Sequence, residues 1–145
     1  MTKTIDPLLV EHLGIRLHRA YQAWLSAFVD EMNAAGHEWF TQARANLIGQ
    51  LPRDGCKQAE LLVKTGWTKQ ALQQMLDGLE RQDVIARSVD PQDKRGRLVA
   101  LTDKGRTALV DADRIKTKIN TQYAAKMGAP ALQQLEQMLD AMVDP

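Results

Sequence analysis

Four residues, Thr65-Gly66-Trp67-Thr68, separate two short apolar-patterned segments in the middle of this chain. The first, Lys57 to Lys64, reads KQAELLVK; the second, Lys69 to Asp83, reads KQALQQMLDGLERQD. In the second, Leu72, Met75, Leu76 and Leu79 recur at the three-and-four spacing that puts them on one helical face. Gly66 supplies the turn, and Thr68 an oxygen that can cap the helix behind it. Two helices joined by so tight a turn form a helix-turn-helix.

A hairpin follows at once. Val84 to Asp90 is rich in β-branched residues, and Arg97 to Thr102 alternates. Leu98, Ala100 and Thr102 fall on one side, Val99 and Leu101 on the other. Between them PQDKRG reads as a turn, with Pro91 and Gly96 at its ends and Lys94 and Arg95 at its tip.

Longer helices flank this unit. Asp6-Pro7 is a helix start, and Leu13, Leu17, Ala20, Tyr21, Trp24, Leu25, Phe28 and Met32 give that helix an apolar stripe up to a stop at Gly36. Thr41 caps a second helix with Ala43, Leu47, Ile48 and Leu51, and LPRDG (Leu51 to Gly55) reads as a turn. Thr102 with Asp103 opens a long helix striped by Leu109, Ala112, Ile115, Ile119, Tyr123 and Met127. Gly128 ends it and Pro130 opens a last one, where Leu132, Leu135, Met138, Leu139 and Met142 recur. The expected fold is mainly α with a small β-hairpin wing, in a single domain of residues 1–145.

Charge says where a polyanion would bind. The net charge is only +1 over 145 residues. Residues 1–50 carry four cations and five acids, residues 64–106 nine cations and six acids. Attraction to nucleic acid must therefore come from local clustering in the second half. A winged helix-turn-helix explains that clustering. Its second helix enters the major groove, and its hairpin brings Lys94, Arg95 and Arg97 to phosphates or a narrow minor groove. Asp93 is placed to pair with a neighbouring arginine and fix its angle. Opposite the apolar face of the second helix lie Gln70, Gln74, Asp77 and Arg81, with Gln73 at the flank. Glutamine can read adenine, so Gln70, Gln73 and Gln74 are the base-edge candidates. Thr68 and Lys69, at the helix start, are phosphate candidates.

Other classes find little footing. No apolar run is long enough to span a membrane, and the N-terminus lacks the apolar core of a signal peptide. With a single cysteine, Cys56, no internal disulfide can form, and the sequence reads as cytoplasmic. His12, His18 and His37 show no metal-ligand spacing, and no phosphate loop or nucleophile motif is present. Neither an enzyme nor a metal or other cofactor is expected. Lys57 beside Cys56 at a helix start points to a lowered thiol pKa.

The stretch LLVKTGWTKQALQQMLDGLERQDVIARSVDPQDKRGRLVALTDKG resembles the core of the MarR family of bacterial transcription regulators. The family's recurring positions are Leu79 and Arg87 around the first strand, Asp93 and Arg95 in the wing, and Leu101, Thr102 and Gly105 leading into the long helix. The motifs cover about residues 57–106, and the helical layout extends the likeness over most of the chain. The resemblance implies a homodimer, usually a repressor, on a near-palindromic double-stranded DNA operator. Residues 6–35 and 103–145 would be the dimerisation helices and residues 40–102 the winged helix-turn-helix. It also implies a small aromatic or anionic ligand in a cleft between the two parts, for which Arg16, His37, Trp39, Phe40, Arg44 and Trp67 are the candidates. Two departures stand out. Gln74 and Gly78 occupy positions where the family often has a cation, and Asp83 stands where it often has glycine. Two alternatives remain: a winged-helix module that binds another protein, and a thiol-based redox-sensing regulator acting through Cys56.

Overall fold

The computed structural model describes residues 10–145. The helix start expected at Asp6-Pro7 lies outside the described residues. Helix α1 runs Leu13–Ala34 with His12 as its cap, Nδ1 accepting from the Ile15 amide at 3.2 Å. Gly36, at φ +100°, then turns the chain. Helix α2 (Gln42–Ile48) is capped by Thr41, as the sequence predicts. Strand β1 (Cys56–Lys57) leads into α3 (Gln58–Thr65), and Gly66 in the left-handed region and Thr68 as cap open α4 (Lys69–Arg81). Strands β2 (Ile85–Asp90) and β3 (Asp93–Leu101) form the wing. Helices α5 (Asp103–Met127) and α6 (Ala129–Val143) complete the chain.

The sheet is antiparallel in the order β1-β3-β2, so the wing has a third strand that periodicity did not reveal. Cys56 pairs with Val99 and Lys57 with Leu98. Gly55 makes the approach possible: a Cβ there would lie 2.6 Å from the Val99 carbonyl oxygen. The hairpin is also tighter than expected. β3 begins at Asp93 rather than Arg97, which leaves Pro91 and Gln92 at the turn. A register shift between Val89 and Asp90 absorbs the difference.

One core joins the parts. Leu25, Phe28 and Met32 of α1, Leu72, Leu76 and Leu79 of α4, Val99 and Leu101 of β3, and Ala108, Ala112, Ile115 and Ile119 of α5 are all buried in it. By contrast, α6 buries no residue.

Two junctions fix α4 relative to the wing and to α5. At its C-terminus the Val84 amide donates to the Leu79 carbonyl (3.1 Å) and the Asp83 amide to that of Glu80 (2.9 Å). This is a Schellman ending, whose αL position is Asp83 at φ +58°. The Thr102 amide donates to the Val84 carbonyl at 3.1 Å, while its side-chain oxygen accepts from the Gly105 amide to cap α5. A Cβ on Gly105 would sit 2.2 Å from the Val84 oxygen, so only glycine lets α5 start so close to the α4–β2 turn.

The second junction is ionic. The Arg87 side chain on β2 is 13% exposed and meets the carboxylates of Asp77 and Glu80 on α4. Glu80 takes two further bonds, from the Arg87 amide (3.1 Å) and Nε (3.2 Å). A guanidinium gripped by two carboxylates, one of which also accepts from the Arg87 amide, holds helix and strand at one angle.

Two predictions follow from these junctions. Asp83→Gly removes the cost of a side chain in the αL region, about 1 kcal/mol; its urea midpoint should rise with an unchanged m value. The Arg87 hydrogen bonds hold the Asp77 and Glu80 carboxyls below their ordinary pKa values. Such depressed folded-state values give stability that is present above the ordinary carboxylate range and lost as pH falls through them. Arg87→Met should therefore lower the urea midpoint at neutral pH, and its deficit relative to wild type should shrink below about pH 4.

Candidate nucleic-acid interface

The Schellman turn and the Arg87 clamp leave the outer face of α4 uncovered beside the wing. Gln70, Gln74 and Arg81 are exposed on that face. Asp77 would be a repulsive group there, but Arg87 engages its carboxylate. Gln73 is also exposed, but both ends of its amide are bonded to neighbouring side chains. Gln58 Nε2 donates to its Oε1 at 3.0 Å, and its own Nε2 donates to Asp77 Oδ1 at 3.1 Å. Gln73 therefore ties α3 to α4 and meets a ligand with only its remaining capacity. Thr68 accepts from the Ala71 amide at 3.1 Å and stays exposed, as does Lys69.

Between α3, the start of α4 and the wing lies a hollow of about 300 Å³. Lys69, Gln73, Arg95 and Arg97 line it. Lys94, Arg95 and Arg97 are all exposed. The helix start and the wing thus converge on one basic recess, with Gln70 and Gln74 on the neighbouring face.

Wing geometry rests on aspartates bonded to backbone. In place of the expected pairing with an arginine side chain, Asp93 Oδ1 accepts from the Arg95 amide at 3.0 Å. A carboxylate that hydrogen-bonds the backbone two residues on makes an Asx turn, which fixes where Arg95 leaves the strand. Asp90 does the same one step earlier, accepting from the Gln92 amide at 2.9 Å. It is 3% exposed and lies 3.7 Å from Lys57 Nζ, so the third strand also anchors the wing tip. Sequence reasoning missed Asp90 and Gln58. An Asp before Pro at a hairpin turn was the available signal for the first; nothing local marks the second.

The six ligand candidates do not come together. Trp39 and Phe40 line a cleft of about 50 Å³ with Phe28, Met32, Ala112 and Lys116, between α1, α2 and α5. His37 is beside it, its ring 6.1 Å from that of Trp39, and its Nε2 lies 2.7 Å from Asp111 Oδ2. Arg16 is exposed near Glu11, and Trp67 packs against the core away from the cleft. Arg44 turns toward α4, where its Nη2 lies 3.0 Å from the position a Cβ on Gly78 would take. Lys116, which the sequence did not single out, is the cation of the cleft.

Cys56 also departs from expectation. Burial and the nearby Glu60 raise its thiol pKa, outweighing the opposite effect of Lys64. A more fully protonated thiol is a weaker nucleophile toward oxidants, the opposite of the lowered pKa expected from Lys57. No cluster of three or more metal-ligating side chains occurs among the described residues, and no helix among them is long and apolar enough to cross a membrane.

Residues 40–96 match the model of the MarR family. Among solved structures, the reduced form of MarR from E. coli superposes with a TM-score of 0.81 at 21% identity, over 94% of this chain and 99% of that one. A probable transcriptional regulator from Pseudomonas aeruginosa gives 0.72 at 23% identity, over 92% and 98%. A mutant MarR from E. coli complexed with operator DNA gives 0.73 at 22% identity, over 91% and 94%. No curated protein matches the sequence. A segment through the helix-turn-helix and wing thus matches the MarR-family model, and the chain has the winged-helix fold of MarR over nearly its whole length.

Proposed function

We propose that this chain is a sequence-specific DNA-binding transcription regulator, a cytoplasmic homodimer that represses from a near-palindromic operator. The observation that carries the reading is the basic recess shared by α4 and the wing, with Lys69, Arg95 and Arg97 around it and exposed glutamines beside it. Helix α4 would lie in the major groove, with Gln70 and Gln74 at base edges and Gln73 supporting them. Thr68, Lys69, Lys94, Arg95 and Arg97 would meet the backbone. Residues 40–102 would form the DNA-binding region. The E. coli MarR complex with operator DNA has the same fold.

Residues 6–35 and 103–145 would make the dimer. Supporting this, α6 buries nothing, while Tyr21, Met127, Met138 and Met142 are exposed. A groove of about 550 Å³ between α1, α5 and α6 is lined by Leu17, Trp24, Tyr123, Leu135 and Leu139. An apolar surface of this extent is what a helix from a second copy would cover.

Release by a small aromatic anion would act through the Trp39–Phe40 cleft. Trp39 Nε1 is buried there without a partner, a donor that an anionic ligand would satisfy, and Lys116 supplies the charge. Such a ligand would shift the population of wing-to-wing spacings away from the one that fits the operator.

Selecting bound duplexes from a random library tests the class. An inverted repeat is expected, with affinity falling steeply as salt rises; no duplex binding at low salt would leave a protein-partner module as the better reading. Asp93→Ala supplies a sharper check. It removes a negative charge, so simple electrostatics predicts tighter binding, whereas loss of the turn that aims Arg95 predicts weaker binding. We expect weaker operator binding in a titration at fixed salt, with thermal stability little changed.

A further inference from the structure

We propose that Arg44, on α2, is a DNA-backbone contact that stands in for the cation Gly78 lacks, gripping the phosphates on the flank of α4 opposite the wing. The inference rests on the DNA-binding reading above and extends the interface to a helix outside the helix-turn-helix.

The geometry begins with α4 itself. At 3.6 residues per turn, Lys69, Gln73, Asp77 and Glu80 fall on one flank and Ala71, Gln74 and Gly78 on the other. The first flank faces the wing: Gln73 shares the basic hollow with Arg95 and Arg97, and Asp77 and Glu80 hold Arg87. The second faces α2. There a cleft of about 490 Å³ is lined by Thr41, Arg44, Ala71, Gln74, Met75, Gly78 and Arg81. Its charged groups, Arg44 and Arg81, are both cations.

Gly78 is buried, and the three nearest atoms a Cβ there would meet all belong to the Arg44 guanidinium, at 3.0 to 3.9 Å. The guanidinium fills the space of the missing side chain. It is also held in place: Arg44 Nη1 donates to the Trp39 carbonyl at 2.7 Å. One of its five donors is engaged there, which leaves a fixed, charged fork for a partner.

The partner follows from groove geometry. A helix about 10–12 Å across fills a major groove about 12 Å wide, so a phosphate strand runs along each of its flanks. The wing serves one flank. Without Arg44 the cleft on the other flank would keep Arg81, near the C-terminal end of α4, as its one cation among the described residues.

The test measures salt dependence on a random-sequence duplex, where backbone contacts dominate and no operator is needed. Arg44→Gln keeps an amide that can still reach the Trp39 carbonyl. Its slope of log affinity against log salt should fall by about 0.9 per subunit relative to wild type. Gly78→Arg in that background returns a cation to the same flank and should restore the slope. Should Arg44→Gln fail to fold, as judged by its circular-dichroism melt, Arg44→Met decides in its place: the slope should fall by about the same amount. A folded Arg44→Gln or Arg44→Met with the wild-type slope overturns the proposal. An unchanged duplex slope, together with stabilisation by inorganic phosphate that Arg44→Gln abolishes, would assign the cleft to a free anion and also overturn it. If wild type binds no duplex, the DNA-binding reading falls and this inference with it; the other outcomes leave that reading standing.

Discussion

The Arg87 clamp is the interaction on which the proposed DNA-facing surface depends. A recognition helix and a wing reach DNA together only if their mutual angle is fixed before binding. Apolar packing supplies much of that constraint, because Leu79, Val84 and Val99 are buried between them. Packing alone is non-directional. The guanidinium adds direction, since its planar fork is satisfied only when Asp77 and Glu80 lie on the correct side of β2. The same contact removes a repulsive charge. Asp77 sits where phosphates would approach, and an unpaired carboxylate there would oppose binding. One side chain thus orders the fold and corrects the field at its surface.

Most of the architecture was legible because its signals are local. Thr41, Thr68 and Thr102 each cap the helix the sequence assigns to them, since a cap depends only on an oxygen and amides two or three residues away. Gly66 takes the left-handed turn for an equally local reason. What escaped depends on distant partners. Cys56-Lys57 is too short to show alternation and becomes a strand only by meeting β3. Asp90 is buried through Lys57 on that strand, and Arg44 turns to α4 because a glycine far along the chain leaves room. The ligand candidates scattered for the same reason: aromatic content and charge can be counted along a chain, but which residues line one cleft is decided by packing.

Two departures from the family pattern turn out differently in physical terms. Asp83 keeps the turn that glycine usually makes, because the Schellman bonds and the buried Leu79 and Val84 hold it at positive φ. Aspartate is among the few side chains that enter that region at modest cost. At Gly78 the missing volume is filled from elsewhere, by the Arg44 guanidinium, which on the proposed reading also supplies the missing charge. The first substitution keeps the backbone and accepts strain, whereas the second keeps the surface and changes which helix supplies it.

Arg44 also links the two proposed clefts. Helix α2 presents Arg44 to α4 on one side, while Trp39 and Phe40, just before it, line the aromatic cleft against α5 on the other. The Arg44–Trp39 bond joins the two directly, because the residue whose carbonyl holds the guanidinium is the one whose indole borders the cleft. At about 50 Å³ that cleft is smaller than ordinary ligand pockets, which span about 300–1,000 Å³. A ligand entering it would have to move the segment bearing Trp39 away from α5. The His37–Asp111 contact resists such movement, since it fastens the same segment to the middle of α5. Displacing Trp39 would carry its carbonyl, and with it the anchor of Arg44, away from the Gly78 hollow. Such coupling would need no long-range relay: the two clefts share one residue, so opening one would alter the other through a single hydrogen bond.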